Sequence, residues 1–182
     1  MEAGRTQLVA SWLAVMGLAA VGLTALDRVP AVLTGTPPGV RIFASVEDAE
    51  RDLGARIWLP RYYPETLRWP PARIEADAAS PVTVAVRIPG KDDPRDRLVI
   101  CESLGGRPVA PPEALLPTGR ILETVGVLVG SRRATLVRLQ AEDGRVLHDL
   151  SWDHGARRLT LRTAGPVEEL LLIAASLEHA QS

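Results

Sequence analysis

The chain has 182 residues, with 21 basic and 22 acidic side chains and a formal net charge of −1. So even a balance leaves no electrostatic footprint for nucleic acid. A single cysteine, Cys101, excludes an internal disulfide.

Leu8 to Leu26 reads LVASWLAVMGLAAVGLTAL and carries no charge. As a helix it would rise to about 28 Å, close to the hydrocarbon thickness of a bilayer. It is longer than the apolar core of a signal peptide, and the best cleavage point, after Ala25, has Leu23 two residues earlier. A retained membrane helix is therefore expected, with a cleaved signal peptide as the alternative. Trp12 stands one turn inside the first end, where interfacial aromatics gather. Arg5 and Arg28 nearly cancel as orientation signals. The seven residues before the helix are too few to fold, which places the folded part after it and outside the cytoplasm. The expected organisation is a short cytoplasmic N-terminus at 1–7, a transmembrane helix at 8–26, a linker at 27–44 rich in Pro and Gly, and an extracytoplasmic domain at 45–182.

Ser45-Val46-Glu47-Asp48 has the pattern of a helix start, and Gly54 that of a stop. The spacing predicts a helix over 46–53 with Val46, Ala49 and Leu53 facing inward. The next stretch, IWLPRYYPETLRWPP at 57–71, sets Trp58, Tyr62, Tyr63 and Trp69 among Pro60, Pro64, Pro70 and Pro71. Each proline fixes its own φ and restrains the residue before it. The segment should be extended and stiff, with aromatics that cannot all face one way. They either wedge a loop onto the sheet edge or form the rim of a groove for a ligand or partner.

From Ile74 the period becomes two. Val82, Val84, Val86 and Ile88 share one face of a half-buried strand, with Thr83, Ala85 and Arg87 on the other. Residues 89–94 turn the chain and 98–102 return it. A loop with Pro108, Pro111, Pro112 and Pro117 fills 104–119. Strands follow at 121–129, 134–140, 146–152 and 158–163, with turns at Gly130, at Asp143-Gly144 and at 153–156. Pro166 and the acids Glu168 and Glu169 then start a helix. Leu170, Ile173, Ala174 and Leu177 form its apolar stripe, widened by Leu171 and Leu172. The sum is an α+β fold. An antiparallel meander of about six or seven strands is flanked by a short N-terminal helix and a C-terminal helix on one face, with the other face open.

No residue pattern points to catalysis. His148 and Asp149 alternate to opposite faces of their strand, and Asp153 and His154 fall in a turn. A metal needs three or four convergent ligands, and neither H-x-x-x-H nor C-x-x-C spacing occurs. His179 lies at a helix end. Cys101 reads as a buried thiol in a strand. Arg132, Arg133, Arg157 and Arg158 gather at hairpin ends, as solvated turn residues or as a contact for anionic headgroups. The expectation is no enzyme, no cofactor and no metal.

Three segments carry a resemblance. They are Pro60-Arg61-Tyr62-Tyr63-Pro64-Glu65, the 146–152 strand with its 153–155 turn, and Glu168-Glu169-Leu170 with Ile173-Ala174 and Ser176-Leu177. Together they resemble a bacterial extracytoplasmic domain often attached to transmembrane anti-sigma factors. More distantly, the chain is similar to lipoprotein-carrier and sigma-E regulatory proteins, whose half-barrel sheets cover a hydrophobic cavity with helices. Tyr63 and Thr66 depart from that pattern, and the seven-residue N-terminus leaves no room for a sigma-binding domain. The resemblance implies a sensor, carrier or partner-binding module in the bacterial cell membrane, single-pass, engaging a lipid or an envelope protein. A structural docking partner of another membrane protein is the alternative. The residues expected to bind, Trp58, Tyr62, Tyr63 and Trp69, come from the aromatic pattern alone.

Overall fold

Residues 37–71, 73–79, 81–105 and 108–178 are described by the computed structural model. The expected membrane helix, most of the linker and His179 lie outside them. Among the described residues, no helix is long and apolar enough to cross a membrane. Contacts group Gly39–Ser182 as a unit separate from Met1–Pro38.

The elements of the Gly39–Ser182 unit are β1 (Val40–Phe43), α1 (Val46–Leu53), β2 (Arg73–Asp77), β3 (Val82–Pro89), β4 (Asp96–Leu104), β5 (Arg120–Val129), β6 (Arg132–Gln140), β7 (Val146–His154), β8 (Arg157–Thr163) and α2 (Val167–Glu178). The strands form one sheet in the order β1-β2-β3-β4-β8-β7-β6-β5. Every pairing is antiparallel. The α+β class and the antiparallel sheet are as the sequence led one to expect, but the strands number eight among the described residues. The extra strand is β1, in a stretch read as linker because Pro37, Pro38 and Gly39 dominate it.

A single meander is also corrected. β1 to β4 run as one meander and β5 to β8 as a second, which starts at the far edge and returns until β8 pairs with β4. The turns match their residues. Gly130, Gly144 and Gly155 all take positive φ, which suits tight hairpins. The last of these turns is shorter than expected, because β7 continues through His154.

Period-two patterning builds the core. Phe43, Ile74, Val86, Ile100, Leu161, Leu150, Leu136 and Val125 stand in register, one from each strand, as an apolar row across the whole sheet. α1, α2 and the 57–71 segment pack on this face. α1 starts as its sequence indicates, with the Asp48 N–H donating to Ser45 Oγ at 3.1 Å. It ends at Gly54 with φ 64°. In α2 the stripe of Leu170, Ile173, Ala174 and Leu177 is buried, whereas Leu172 points to solvent.

The opposite face is not open over its centre. The 108–118 strap crosses it, and Leu115 and Leu116 pack on Ala85, Val99 and Cys101. Two guanidiniums on this face hold the strap by its carbonyls. Arg87 Nη2 donates to the Leu115 oxygen at 2.7 Å, and Arg162 Nη1 to the Pro117 oxygen at 2.6 Å. Both are neutralised from the same face. Arg87 reaches Glu75 at 2.6 Å and Asp96 at 3.0 Å, and Arg162 takes both oxygens of Asp149 at 2.7 and 2.6 Å.

The strap enters β5 through Gly119, where a Cβ would sit 2.5 Å from the Gln140 carbonyl oxygen. Backbone rather than a flexible side chain blocks the space. Gly119→Ala is therefore expected to lower the unfolding free energy by about 1–3 kcal/mol, as overpacking does, measured by urea titration. The exposed Gly126→Ala, with nothing within 4 Å of its Cβ position, serves as the comparison and should change stability far less.

Candidate functional site

The proline-rich segment is held from several sides. The Arg68 N–H donates to the Pro89 oxygen at 2.9 Å, and the Lys91 N–H to the Thr66 oxygen at 2.9 Å. The Tyr62 N–H donates to Ser176 Oγ of α2 at 3.2 Å. The segment's own Ile57 and Leu67 are buried. On this backbone the four aromatics divide. Tyr63 packs against Trp69 with ring centroids 4.7 Å apart. Burial pushes the Tyr63 phenol well above its ordinary range. Tyr62 and Trp69 are 42% and 49% exposed. Trp58 instead meets His154 edge-on at 4.7 Å. As the proline spacing led one to expect, the aromatics do not all face one way: Trp58 belongs to one cluster, and Tyr63 and Trp69 form a separate pair.

The Trp58 cluster is built around a carboxylate that sequence reasoning missed. Glu102 is 1% exposed, on the same face of β4 as Leu98 and Ile100. Its Oε2 accepts from the Trp58 N–H at 2.9 Å, and its Oε1 accepts from Arg157 Nη1. Arg157 Nη1 also reaches the Arg56 carbonyl oxygen at 2.9 Å. The guanidinium lies 5.3 Å from the centre of the Trp58 ring, within cation–π range. Arg157, read from sequence as a solvated turn residue, is thus drawn inward to a buried acid. Period-two counting from Leu98 carries the available signal, since it puts Glu102 on the core side.

Beside this cluster opens a cleft of about 340 Å³, walled by Leu53, Val82, Leu104, Trp58, His154 and Arg157. Its walls are apolar, and its polar groups are an imidazole and a guanidinium. A second cleft of about 360 Å³ lies where the strap meets the β6–β7 turn, among Arg97, Leu116, Arg145, Leu147 and Arg162. Its charges are largely spent on one another: Arg145 pairs with Asp143 at 2.6 Å and Arg162 with Asp149.

Among the described residues no group of three or more His, Cys, Asp or Glu side chains could hold a metal ion. Asp149 is committed to Arg162 on the strap face, and His148 occupies the other face of β7 in register with Arg138 and Thr163. No family model, no curated protein and no solved structure matches the chain.

Burial pushes the Glu102 carboxyl up from its ordinary value of 4.5, and the Trp58 amide and Arg157 guanidinium only partly pull it back. Above that ordinary value, the folded protein holds a proton that the unfolded chain has released, until pH passes the raised native value. Stability contributed by this group is therefore full at low pH and falls as pH rises through that window. Urea titrations across it should show this slope in the wild type and its loss in Glu102→Gln.

Cys101 is fully buried, and burial pushes its thiol up to about 12. A thiol reagent at neutral pH should leave the native protein unlabelled and label it fully in denaturant. Rapid native labelling would contradict this placement.

Proposed function

We propose that Gly39–Ser182 is a non-catalytic binding or sensor domain, presented outside the cytoplasm by a membrane helix over Leu8 to Leu26. The observation that carries this reading is the cleft beside Trp58. Apolar walls from Leu53, Val82 and Leu104 meet one aromatic face, the Arg157 guanidinium and the His154 imidazole. Small-molecule sites have this composition: mostly apolar, with a few placed polar groups. The chemistry suits a molecule with an apolar body and an acidic end, as a lipid fragment has. Glu102 supports the reading from below. It fixes the Trp58 backbone and the Arg157 guanidinium at once, so the mouth of the cleft is preorganised before any ligand arrives.

Native mass spectrometry of the full chain, released from its micelle in the gas phase, tests the proposal. A lipid-sized adduct should accompany the wild type, disappear in Trp58→Ala and survive in Trp69→Ala, since Trp69 belongs to the separate pair. Wild-type protein that carries no adduct, or an adduct indifferent to Trp58, would overturn the lipid reading.

A further inference from the structure

The two edges of the sheet are finished differently. β1 has four residues, and its Arg41 is tied to Asp52 of α1 at 2.6 Å. A short strand and a charge both blunt an edge, whereas a helix neighbours each edge strand, α1 beside β1 and α2 beside β5. β5 has ten residues, and among the described strands only β6 lies beside it. Ile121 and Leu128 are 66% and 67% exposed, and Val125 is 41% exposed. Between Ile121 and Val129 the only charge is Glu123, already 3.8 Å from Arg138 of β6. Neither Lys nor Pro interrupts the strand. The one bulge falls between Ile121 and Glu123, and from Glu123 to Val129 the pairing with β6 is regular.

We propose that β5 pairs antiparallel with β5 of a second copy of this chain, across a two-fold axis at Gly126, so that two sheets become one. The sequence of the strand selects this partner. Gly126 is the centre of the regular stretch, and as glycine it carries no side chain to meet its own copy on the axis. In that register Val125 faces Val127, Thr124 faces Leu128, and Glu123 faces Val129. No like charges oppose one another, and the pairs nearest the axis, Val125 with Val127 and Thr124 with Leu128, are β-branched or aliphatic. A neutral edge in a chain that is 24% charged offers a charged partner nothing to pair with, whereas its own copy asks for nothing. The pairing is also self-limiting. It consumes both β5 edges and leaves two β1 edges outermost, each already blunted, so a closed pair forms in place of a growing fibre. This surface is separate from the Trp58 cleft, and its argument does not depend on a ligand there.

The buried Cys101 provides a silent background for disulfide trapping in the full chain in its membrane. Directly opposed residues of antiparallel strands have Cα atoms about 4.5–5.5 Å apart, inside the usual disulfide span. Under mild oxidation Gly126→Cys should shift from the one-chain to the two-chain band on a non-reducing gel. Ile42→Cys on the β1 edge should stay in the one-chain band. Detergent-solubilised wild type should sediment as two chains, and Val125→Lys, which sets cations on either side of the axis, should halve that mass while keeping the circular dichroism of the fold. Gly126→Cys that crosslinks no better than Ile42→Cys, or wild type that sediments as one chain, would overturn the proposal.

Discussion

Two guanidiniums on one face of the sheet hold its long crossover in place. β4 ends in the middle of the sheet and β5 begins at its edge, so the chain must cross a face between them. Arg87 and Arg162 receive that crossing by binding the Leu115 and Pro117 carbonyls. Strap carbonyls shielded from water need donors, and guanidiniums supply several in a fixed fork. The cost is the burial of two cations, offset by Glu75, Asp96 and Asp149. Removing one member would strand its partner, the expensive way to break such a pair. The apolar contribution of Leu115 and Leu116 is then added over Ala85, Val99 and Cys101.

The same logic appears once on the opposite face, with a different outcome. Glu102 sits within an apolar surface and is satisfied by a backbone N–H and by Arg157. Here the network does not fasten a crossover. It orients an aromatic ring and a cation at the lip of a cleft. Each face of the sheet thus holds a buried ionic network: the strap-side one supports the connection, and the helix-side one supports the candidate site.

Local patterns were legible and distant partners were not. Ser45, Gly54, Gly130 and Gly144 declare their caps and turns by residue type, and the Leu170–Leu177 stripe declares its buried face. All depend on contacts within a few residues. β1 escaped because four residues after a Pro-Gly cluster carry too little pattern, and the strand exists through its pairing with β2. The strap reads correctly as a loop, but Leu115 and Leu116 give no sign that they cover the sheet, since their receptors lie on β3 and β4. Trp58 was singled out for its composition, yet what makes it part of a site is Arg157, about a hundred residues away along the chain, whose guanidinium bonds the Arg56 carbonyl. Leu172 shows the limit of a helical stripe. It is apolar and adjacent in sequence to buried positions, but it falls on the solvent side.

The two-meander topology also bears on how the chain folds. Within each meander every strand pairs with its sequence neighbour, through short connections except between β1 and β2, which α1 and the 57–71 segment separate. The seam between them is different: Glu102 and Arg157, which meet across it, are 55 positions apart. Closing that loop costs entropy before any contact at the seam repays it, and non-local β pairing is intrinsically slow. The seam therefore sets the pace of assembly. Until it closes, the apolar rows of both halves stand exposed, and the exposed β5 edge is a further place where an unfinished chain would find the wrong neighbour.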